Sequence, residues 1–550
     1  MSLTISYDRT ERVLVLDGPQ FETIPLREVF RYWGGRYEKV SKSWLFPRTD
    51  WVFVHLTNEL RAKGAQVNAD GMFGGMWTPP PEPASRTTPF PFQKDGSQWL
   101  WERDSALLLD EMGLGKTKQV IDAAATIGTL PVVVICPNTL RATWKSEIEK
   151  HGPEGVRVLI PEGTSKERVL QVVDWTFSEA PGFLILNYEC LRLIPDAFHA
   201  ACENSILVCD EAHRLKNARA QVTKVVAAAR PKRFWALTGT PVANRCEDLF
   251  SLCNLVRPGI MGWSWWDFER RHIERDKWGG VKSYKGVDVL QRRLGQISLR
   301  RTKAEVAPEL PEKTFTRRTV ELSKTERAAY EQMRKDLVAW LGEMDRERGV
   351  LVAEAGTFAT RFLRLRQIAD GYISTGAGNT PEWSKERSKI AAAVEAWEDA
   401  GRPRAVIWCQ FVDVVKEALA TFGKEDCEAW AIYGAIHPEA RAGAVKGWGL
   451  SDCGVLVCQM DTAGEGLNLQ AGSFEIFLDA PLTPKQRNQC VDRCHRIGQV
   501  NPVTVVDIVA SHTVDEKILE KLEAKMSQAN EIVDGSAMPR TAGEALSWLD

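Results

Sequence analysis

Three short stretches of this chain gather the side chains that phosphoryl chemistry needs. The first is Asp110-Glu111-Met112-Gly113-Leu114-Gly115-Lys116-Thr117. Glycines 113 and 115 let backbone N–H groups close around phosphate oxygens. A helix opening at Lys116 would add the partial positive charge of its N-terminus. Lys116 would neutralise β- and γ-phosphates, and Thr117 would offer its hydroxyl to Mg2+. The strict phosphate-loop pattern is not met, because Asp110 stands where its first glycine belongs. The second stretch is Asp210-Glu211, about 95 residues further on. One of these carboxylates would hold Mg2+, directly or through water, with Asp210 as the metal ligand beside Thr117. Its neighbour would orient and deprotonate an attacking water. The third stretch holds Arg493 and Arg496, three apart on what the spacing predicts is one helix, and so on one face. Two guanidiniums aimed together match phosphate oxygens and stabilise transition-state charge. Taken alone, the pair reads rather as surface arginines in salt bridges; beside the first domain's half-site, in a domain with none of its own, the phosphate reading prevails. Gln93, ahead of the first stretch, offers an amide donor and acceptor that suit an adenine edge.

These side chains need elements to hold them. The run Ala106 to Leu109 reads as a buried strand, and an apolar-periodic helix follows Lys116. LPVVVICP, GFLILNYE, ENSILVCDEAH and RFWALTGTP read as further strands, with helices such as RATWKSEIEKHG between them. Strand and helix in alternation predict a parallel sheet covered on both faces, with ligands at the carboxyl ends of the strands. Asp110–Thr117 and Asp210–Glu211 both fall at such ends. Thr238 and Thr240, in the turn after RFWAL, would sense the nucleotide. Between about 246 and 385 the sheet pattern stops, and helical spacing with many basic residues takes over. A second α/β pattern begins near Lys385: RAVIWCQF, CGVLVCQM, SFEIFLDAP and VTVVDIVA are its strands, and TVDEKILEKLEAKM its last helix. This second pattern has no phosphate loop of its own.

Composition sets few limits. With 550 residues, several domains are expected. A net charge of −2 gives no global signature of nucleic-acid binding, so a basic surface has to be local. The 12 cysteines include no C-x-x-C pair. Cys490 and Cys494 are four apart with His495 adjacent, but no second half-site accompanies them, and buried free thiols are the reading. The N-terminus has no basic region followed by an apolar core, and no run of about 18 apolar residues occurs, so neither a signal peptide nor a membrane span is expected.

Residues 1–75 read as a small α/β accessory module, with a hairpin from LTISYD and RVLVLDG, a strand at SWLFPR, and helices at LREVFRYW and WVFVHLTNELRAKG. A Pro-rich linker spans 76–91. A first lobe covers 92–245, helical protrusions and a linker 246–385, a second lobe 386–525 and a tail 526–550.

DEMGLGKT, DEAH followed by RLKN, and LTGTP together resemble the helicase-like ATPases of superfamily two. The Asp-Glu-Met opening of the phosphate loop, with LFSLCNLVRPG and LRRTKAEVAPELPEK downstream, resembles the Swi/Snf type. QCVDRCHRIGQ is similar to the last motif of that family, matching at Gln489, Arg493, Arg496 and Gln499. TAGEGLNL is similar to an earlier one, with Gly464 and Gly466 kept for close backbone approach. RYWGGRYEKVSKSWLFPR resembles the HARP-type modules that precede some annealing helicases. The resemblance implies two RecA-like parallel-sheet lobes with helical insertions. It implies ATP and Mg2+ as cofactors, Lys116, Asp210, Glu211, Arg493 and Arg496 as catalytic residues, and double-stranded DNA, including forked or branched DNA, as partner. It implies a role for His213 in coupling the nucleotide to the other lobe. Translocation along duplex DNA without true strand separation is what such motifs imply. Basic residues of the helical region, Arg270, Arg271, Arg300, Arg301, Arg361, Arg364 and Arg366, are candidates for phosphate contact. A strand-separating DNA or RNA helicase, a motor subunit of a restriction or defence complex, and a silent DNA-binding scaffold are the rival readings. The expected setting is the cytoplasm of a bacterial or phage-infected cell.

Overall fold

In a computed structural model of the chain, the described residues are 86–128, 130–178, 182–239, 246–262, 264–275, 281–346, 355–375, 381–425, 427–463 and 467–527. Upstream, the strand segments 2–8, 13–17, 36–38, 43–47 and 66–68 are described, with residues 60 and 63. Contacts divide the chain into two units, Met1–Val306 and Ala307–Asp550.

The N-terminal strands are β1 (Ser2–Asp8), β2 (Val13–Asp17), β3 (Arg36–Glu38), β4 (Ser43–Pro47) and β5 (Gln66–Asn68). They form one sheet in the order β3-β4-β2-β1-β5, with β1 and β2 antiparallel as a hairpin requires. The helices expected at LREVFRYW and WVFVHLTNELRAKG lie almost wholly outside the described residues, as does most of the Pro-rich linker.

The first unit continues with α1 (Pro91–Trp101), β6 (Ser105–Leu108), α2 (Lys116–Ile127), β7 (Val132–Cys136), α3 (Arg141–His151) and β8 (Arg157–Leu159). Then come α4 (Ser165–Thr176), β9 (Gly182–Asn187), α5 (Pro195–Cys202), β10 (Ile206–Cys209) and β11 (Arg233–Leu237). After α6 (Cys246–Val256) and a short hairpin of β12 (Ile273–Arg275) and β13 (Val281–Tyr284), the two-residue strand β14 (Ser298–Leu299) returns to the sheet. The order is β14-β6-β11-β10-β7-β9-β8, and every pairing is parallel. Alternate residues of the same apolar runs serve two cores. Ala106, Leu108, Val132, Val134 and Trp235 pack with α2 and α3, while Leu107, Val133, Ile135, Leu207 and Ala236 pack with α4, α5 and α6. A sheet buried on both faces needs continuous apolar strands, which is the pattern these segments have.

The second unit is built the same way. Its elements are β15 (Lys313–Val320), α7 (Lys324–Arg346), α8 (Ala355–Ala369), a hairpin of β16 (Tyr372–Thr375) and β17 (Pro381–Trp383), α9 (Ser388–Asp399), β18 (Ala405–Cys409), α10 (Val412–Phe422) and β19 (Ala429–Ile432). After these come α11 (Pro438–Leu450), β20 (Val455–Gln459), β21 (Phe474–Phe477), α12 (Pro484–Cys494), β22 (Val503–Ala510) and α13 (Val514–Ser527). Its sheet runs β15-β22-β21-β18-β20-β19, all parallel. Ile407, Val457 and Ile476 face α9 and α10; Val406, Trp408 and Leu456 face Trp448, Cys490 and Cys494. The two cysteines are free thiols buried in that core.

The expected α/β architecture of two parallel-sheet lobes is present. The sheet pattern does not stop across 246–385, however: β14 joins the first sheet and β15 the second. KTFTRRTV escaped an apolar-run criterion because it is an edge strand whose side chains are largely exposed. Among the described residues no helix is long and apolar enough to cross a membrane.

Candidate nucleotide site

Strand order puts three loops side by side at the carboxyl edge of the first sheet. β11 lies between β6 and β10. Leu108 pairs with Leu237, and Ala236 with Cys209. One further step of that register brings Asp210 level with Leu237, so the loops after β6, β11 and β10 open together.

The loop after β6 turns through Gly113 (φ 85°) and Gly115 (φ 71°), both in the left-handed region that glycine alone enters freely. Gly115 is the N-cap of α2. Lys116 Nζ donates to the carbonyls of Asp110 (2.8 Å) and Glu111 (3.3 Å), and Thr117 is half-buried in the first helical turn. The turn after β11 closes on this loop. A Cβ at Gly239 would sit 2.4 Å from Met112 Cγ and 2.9 Å from Lys116 Nζ. The buried Thr238 donates its N–H to Leu108 O (3.1 Å).

Asp210 and Glu211 are both about nine-tenths buried. The indole Nε1 of Trp144 donates to Asp210 Oδ2 (2.9 Å), the Glu211 N–H donates to Oδ1 (2.9 Å), and the Tyr188 hydroxyl donates to the Asp210 carbonyl (2.6 Å). Burial pushes the Asp210 carboxyl up to about 6, the Glu211 charge pushes the same way, and Trp144 and Lys116 oppose them. Glu211 has φ 50°. Holding a non-glycine residue there costs about 1–2 kcal/mol. His213 Nδ1 lies 3.1 Å from Glu211 Oε2 and 3.4 Å from Thr238 Oγ1, linking the acidic turn to the threonine turn. Lys116, Asp210, Glu211, His213 and Thr238 therefore belong to one connected site. Thr240 lies outside the described residues.

Other candidates have different surroundings. Gln93 is buried behind the loop. Its Oε1 accepts from the Phe90 N–H (3.1 Å) and its Nε2 donates to Leu114 O (3.3 Å), so both ends of the amide touch the chain's own backbone. Asp110 is fully buried on Arg301 and Gln119. Glu111 Oε2 accepts from the Lys303 N–H (2.7 Å). Arg301, offered as a DNA contact, is thus held inside the first unit. Arg366 is likewise fully buried in the second, donating to Ala480 O (2.8 Å) beside Asp479. Arg270 and Arg271 pair with Asp267. Neither Arg301 nor Arg366 is placed to meet DNA.

In the second unit, Arg493 is half-buried on α12. Its Nε donates to Gln489 O (3.1 Å) and its Nη1 reaches Leu467 O at 3.5 Å. Gln489 is buried, and its amide nitrogen has no hydrogen-bond partner among the described residues. The shared helical face expected for Arg493 and Arg496 is not present. α12 ends at Cys494; His495 leaves the helix with ψ 83°, its Nε2 meeting the carbonyl of Pro311 at 2.8 Å, and Arg496 lies in the bend beyond. Gln499 explains the bend: its Nε2 donates to the carbonyls of Gln470, Gly472 and Cys494, and its Oε1 accepts from Val500 and Asn501 N–H groups. Gly464 and Gly466 lie outside the described residues. Sequence reasoning missed Trp144, Lys303 and Gln119 and gave Arg301 a different role; a lone Trp in a helix and basic residues after a two-residue strand carry no local signal of such roles.

A family model described as the SNF2-related domain matches residues 92–370, half of the chain, and one described as the helicase conserved C-terminal domain matches 388–498. The chain belongs to the SNF2-related family of helicase-like ATPases. Similar relatives include an uncharacterised ATP-dependent helicase of Mycoplasma genitalium, 28% identical over 78% of this chain and 40% of the relative. The mouse chromodomain-helicase-DNA-binding protein 1-like is 28% identical over 81% of this chain and 50% of the relative. This SNF2-related chain thus spans half or less of the length of these curated relatives. Among solved structures, the Sulfolobus solfataricus SWI2/SNF2 ATPase core in complex with dsDNA is 26% identical, covering 82% of this chain and 94% of that one, with a TM-score of 0.40.

Proposed function

We propose that the chain is a DNA-dependent ATPase that translocates on double-stranded DNA without separating its strands. The motion would remodel forks, anneal strands or displace bound proteins. The observation that carries this reading is the convergence of Lys116, Asp210, Glu211, His213 and Thr238 on one loop cluster of the first sheet. The names of its relatives, ATP-dependent helicases and a DNA-binding protein among them, support it.

In this reading Lys116 and the N–H groups of the Gly113–Gly115 loop bind the β- and γ-phosphates. Gln93, held by the chain's own backbone at both ends of its amide, would read the adenine edge through its remaining lone pair and proton. The donor set fits Mg2+: a hydroxyl at Thr117 and a buried carboxylate at Asp210, whose pKa is raised by burial and by the Glu211 charge, are hard oxygen ligands. When bound, the ion would neutralise phosphate charge. Glu211 takes the proton from the attacking water as its oxygen bonds to the γ-phosphorus and the bridging oxygen leaves with ADP. Glu211 is held for that task by its left-handed backbone and by His213. Arg493 and Arg496 stabilise charge in the transition state, and Gln489, Gly464 and Gly466 serve nucleotide binding in the same reading.

The functional division that goes with this is an accessory module at 1–75 with a DNA-binding role, a first lobe from 92 that takes in β14, a second lobe that takes in β15 and runs to 525, and the remaining helices of 246–385 as protrusions. Mg2+-dependent ATP turnover would drive displacement of a third strand from a triplex placed ahead of the enzyme on a duplex. A companion assay would follow separation of a plain duplex of equal length. Triplex displacement without duplex separation is the expected result. Efficient duplex separation would favour a strand-separating helicase, and failure of both would remove the motor reading.

A further inference from the structure

We infer that Arg301 is a positioning residue for nucleotide binding, and that its ion pair with Asp110 is why an aspartate replaces the first glycine of the phosphate loop. This rests on the ATPase reading of the Lys116 loop. Asp110 is fully buried, and the Arg301 side chain is about seven-eighths buried. Arg301 meets Asp110 through three donors: its N–H and Nε reach Oδ1 at 3.1 Å each, and its Nη2 reaches Oδ2 at 2.5 Å. The same Nη2 donates to Gln119 Oε1 (2.9 Å), while Gln119 Nε2 returns a bond to Asp110 Oδ2 (3.0 Å). Nη1 donates to the carbonyl of Phe92, and the guanidinium lies 5.5 Å from the Phe92 ring centroid.

One side chain thus ties three elements together: α1, which carries Gln93; the loop that carries the phosphate-binding glycines; and α2, which carries Lys116. Backbone bonds extend the tie. β14 pairs with β6, and beyond it Leu109 N–H donates to Leu299 O (2.7 Å) and Glu111 N–H to Arg301 O (3.0 Å). Segment 299–303 therefore runs alongside the first half of the loop as a splint. Gly96 shows how close α1 must come: a Cβ there would lie 1.8 Å from Gln119 Oε1 and 2.6 Å from Arg301 Nη2. In an ordinary phosphate loop a glycine at position 110 would only permit a turn. Here the carboxylate anchors the turn from behind, and a flat, five-donor guanidinium suits a carboxylate and two carbonyl-type acceptors better than an ammonium would.

The test uses the full chain and mant-ADP with Mg2+ as probe. Arg301→Gln should raise the Kd for mant-ADP and the KM for ATP at least tenfold, with a smaller fall in kcat at saturating ATP. Arg301→Lys, keeping the charge without the fork, should fall between that variant and the unaltered protein. Circular dichroism melting fixes a temperature at which every variant is folded. If Arg301→Gln does not fold, Asp110→Asn and Gly96→Ala disturb the same tie more gently and should shift Kd in the same direction. A lowered melting temperature with Kd and KM within twofold of the unaltered protein would overturn the assignment, because it would make the tie merely structural. If the unaltered protein itself bound no mant-ADP, the nucleotide reading would fall with it; intact binding that no variant alters removes only Arg301.

Discussion

Replacing Glu475 by glutamine should remove a pH dependence from the stability of the second unit. Glu475 sits in the middle of β21, fully buried, under the helix that bears Arg493. Its Oε2 accepts from the Trp408 indole (2.7 Å). Burial pushes its carboxyl from the ordinary 4.5 up to about 8; Asp492 adds to the rise, and Trp408, Cys494 and Arg487 oppose it. Between those two values the folded unit keeps a proton that the unfolded chain has lost. Stability therefore falls as pH rises through that window, by about 1.4 kcal/mol per pH unit, and levels off above the folded-state value, where both states are ionised. Going from pH 5.5 to 7.5 would weaken the unit by about 3 kcal/mol on this account. Glutamine keeps the shape without the proton, so its stability should lack this component. Hydrogen exchange of peptides covering Phe474–Phe477, corrected for intrinsic exchange and measured at four pH values, reads the opening free energy of this unit alone. The difference between variant and unaltered protein should grow steadily from pH 5.5 to 7.5. A difference that stays constant across that range would show that Glu475 does not hold a proton in the folded unit.

Other perturbations address the first unit. Trp144→Phe leaves a buried acceptor on Asp210 without its donor. It should cost about 1–3 kcal/mol in urea unfolding and slow ATP turnover. Gly239→Ala forces a methyl group against Met112 and Lys116 and should raise the KM for ATP tenfold or more in steady-state turnover, with melting temperature nearly unchanged.

Much of this fold was legible because a sheet covered on both faces demands continuous apolar strands. VVVIC, FLILN, ILVC and VLVCQ advertise themselves that way. The phosphate loop and acid pair were legible because their chemistry is local: two glycines, a lysine and a threonine in one turn, and two adjacent carboxylates after a strand. What was not legible depends on contacts distant in sequence. Lys313–Val320 is a strand because β22 pairs with it, not because its polar sequence prefers that state. Asp110 and Arg301 are 191 residues apart, so nothing near either one announces the pair. Arg496 leaves the helix because Gln499 gathers two carbonyls of one remote turn, Gln470 and Gly472, which spacing alone does not encode.

In the proposed function, the Lys116 and Asp210–Glu211 loops form one ATP-hydrolysing pocket driven by duplex DNA. Its most direct test is ATP turnover by the unaltered protein and by Glu211→Gln, titrated with double-stranded DNA, single-stranded DNA and RNA, with mant-ADP binding measured in parallel. Strong stimulation by duplex DNA is expected, with a loss of about a hundredfold or more in the variant and nucleotide binding retained. Unchanged turnover in Glu211→Gln, or turnover indifferent to every polynucleotide, would contradict it.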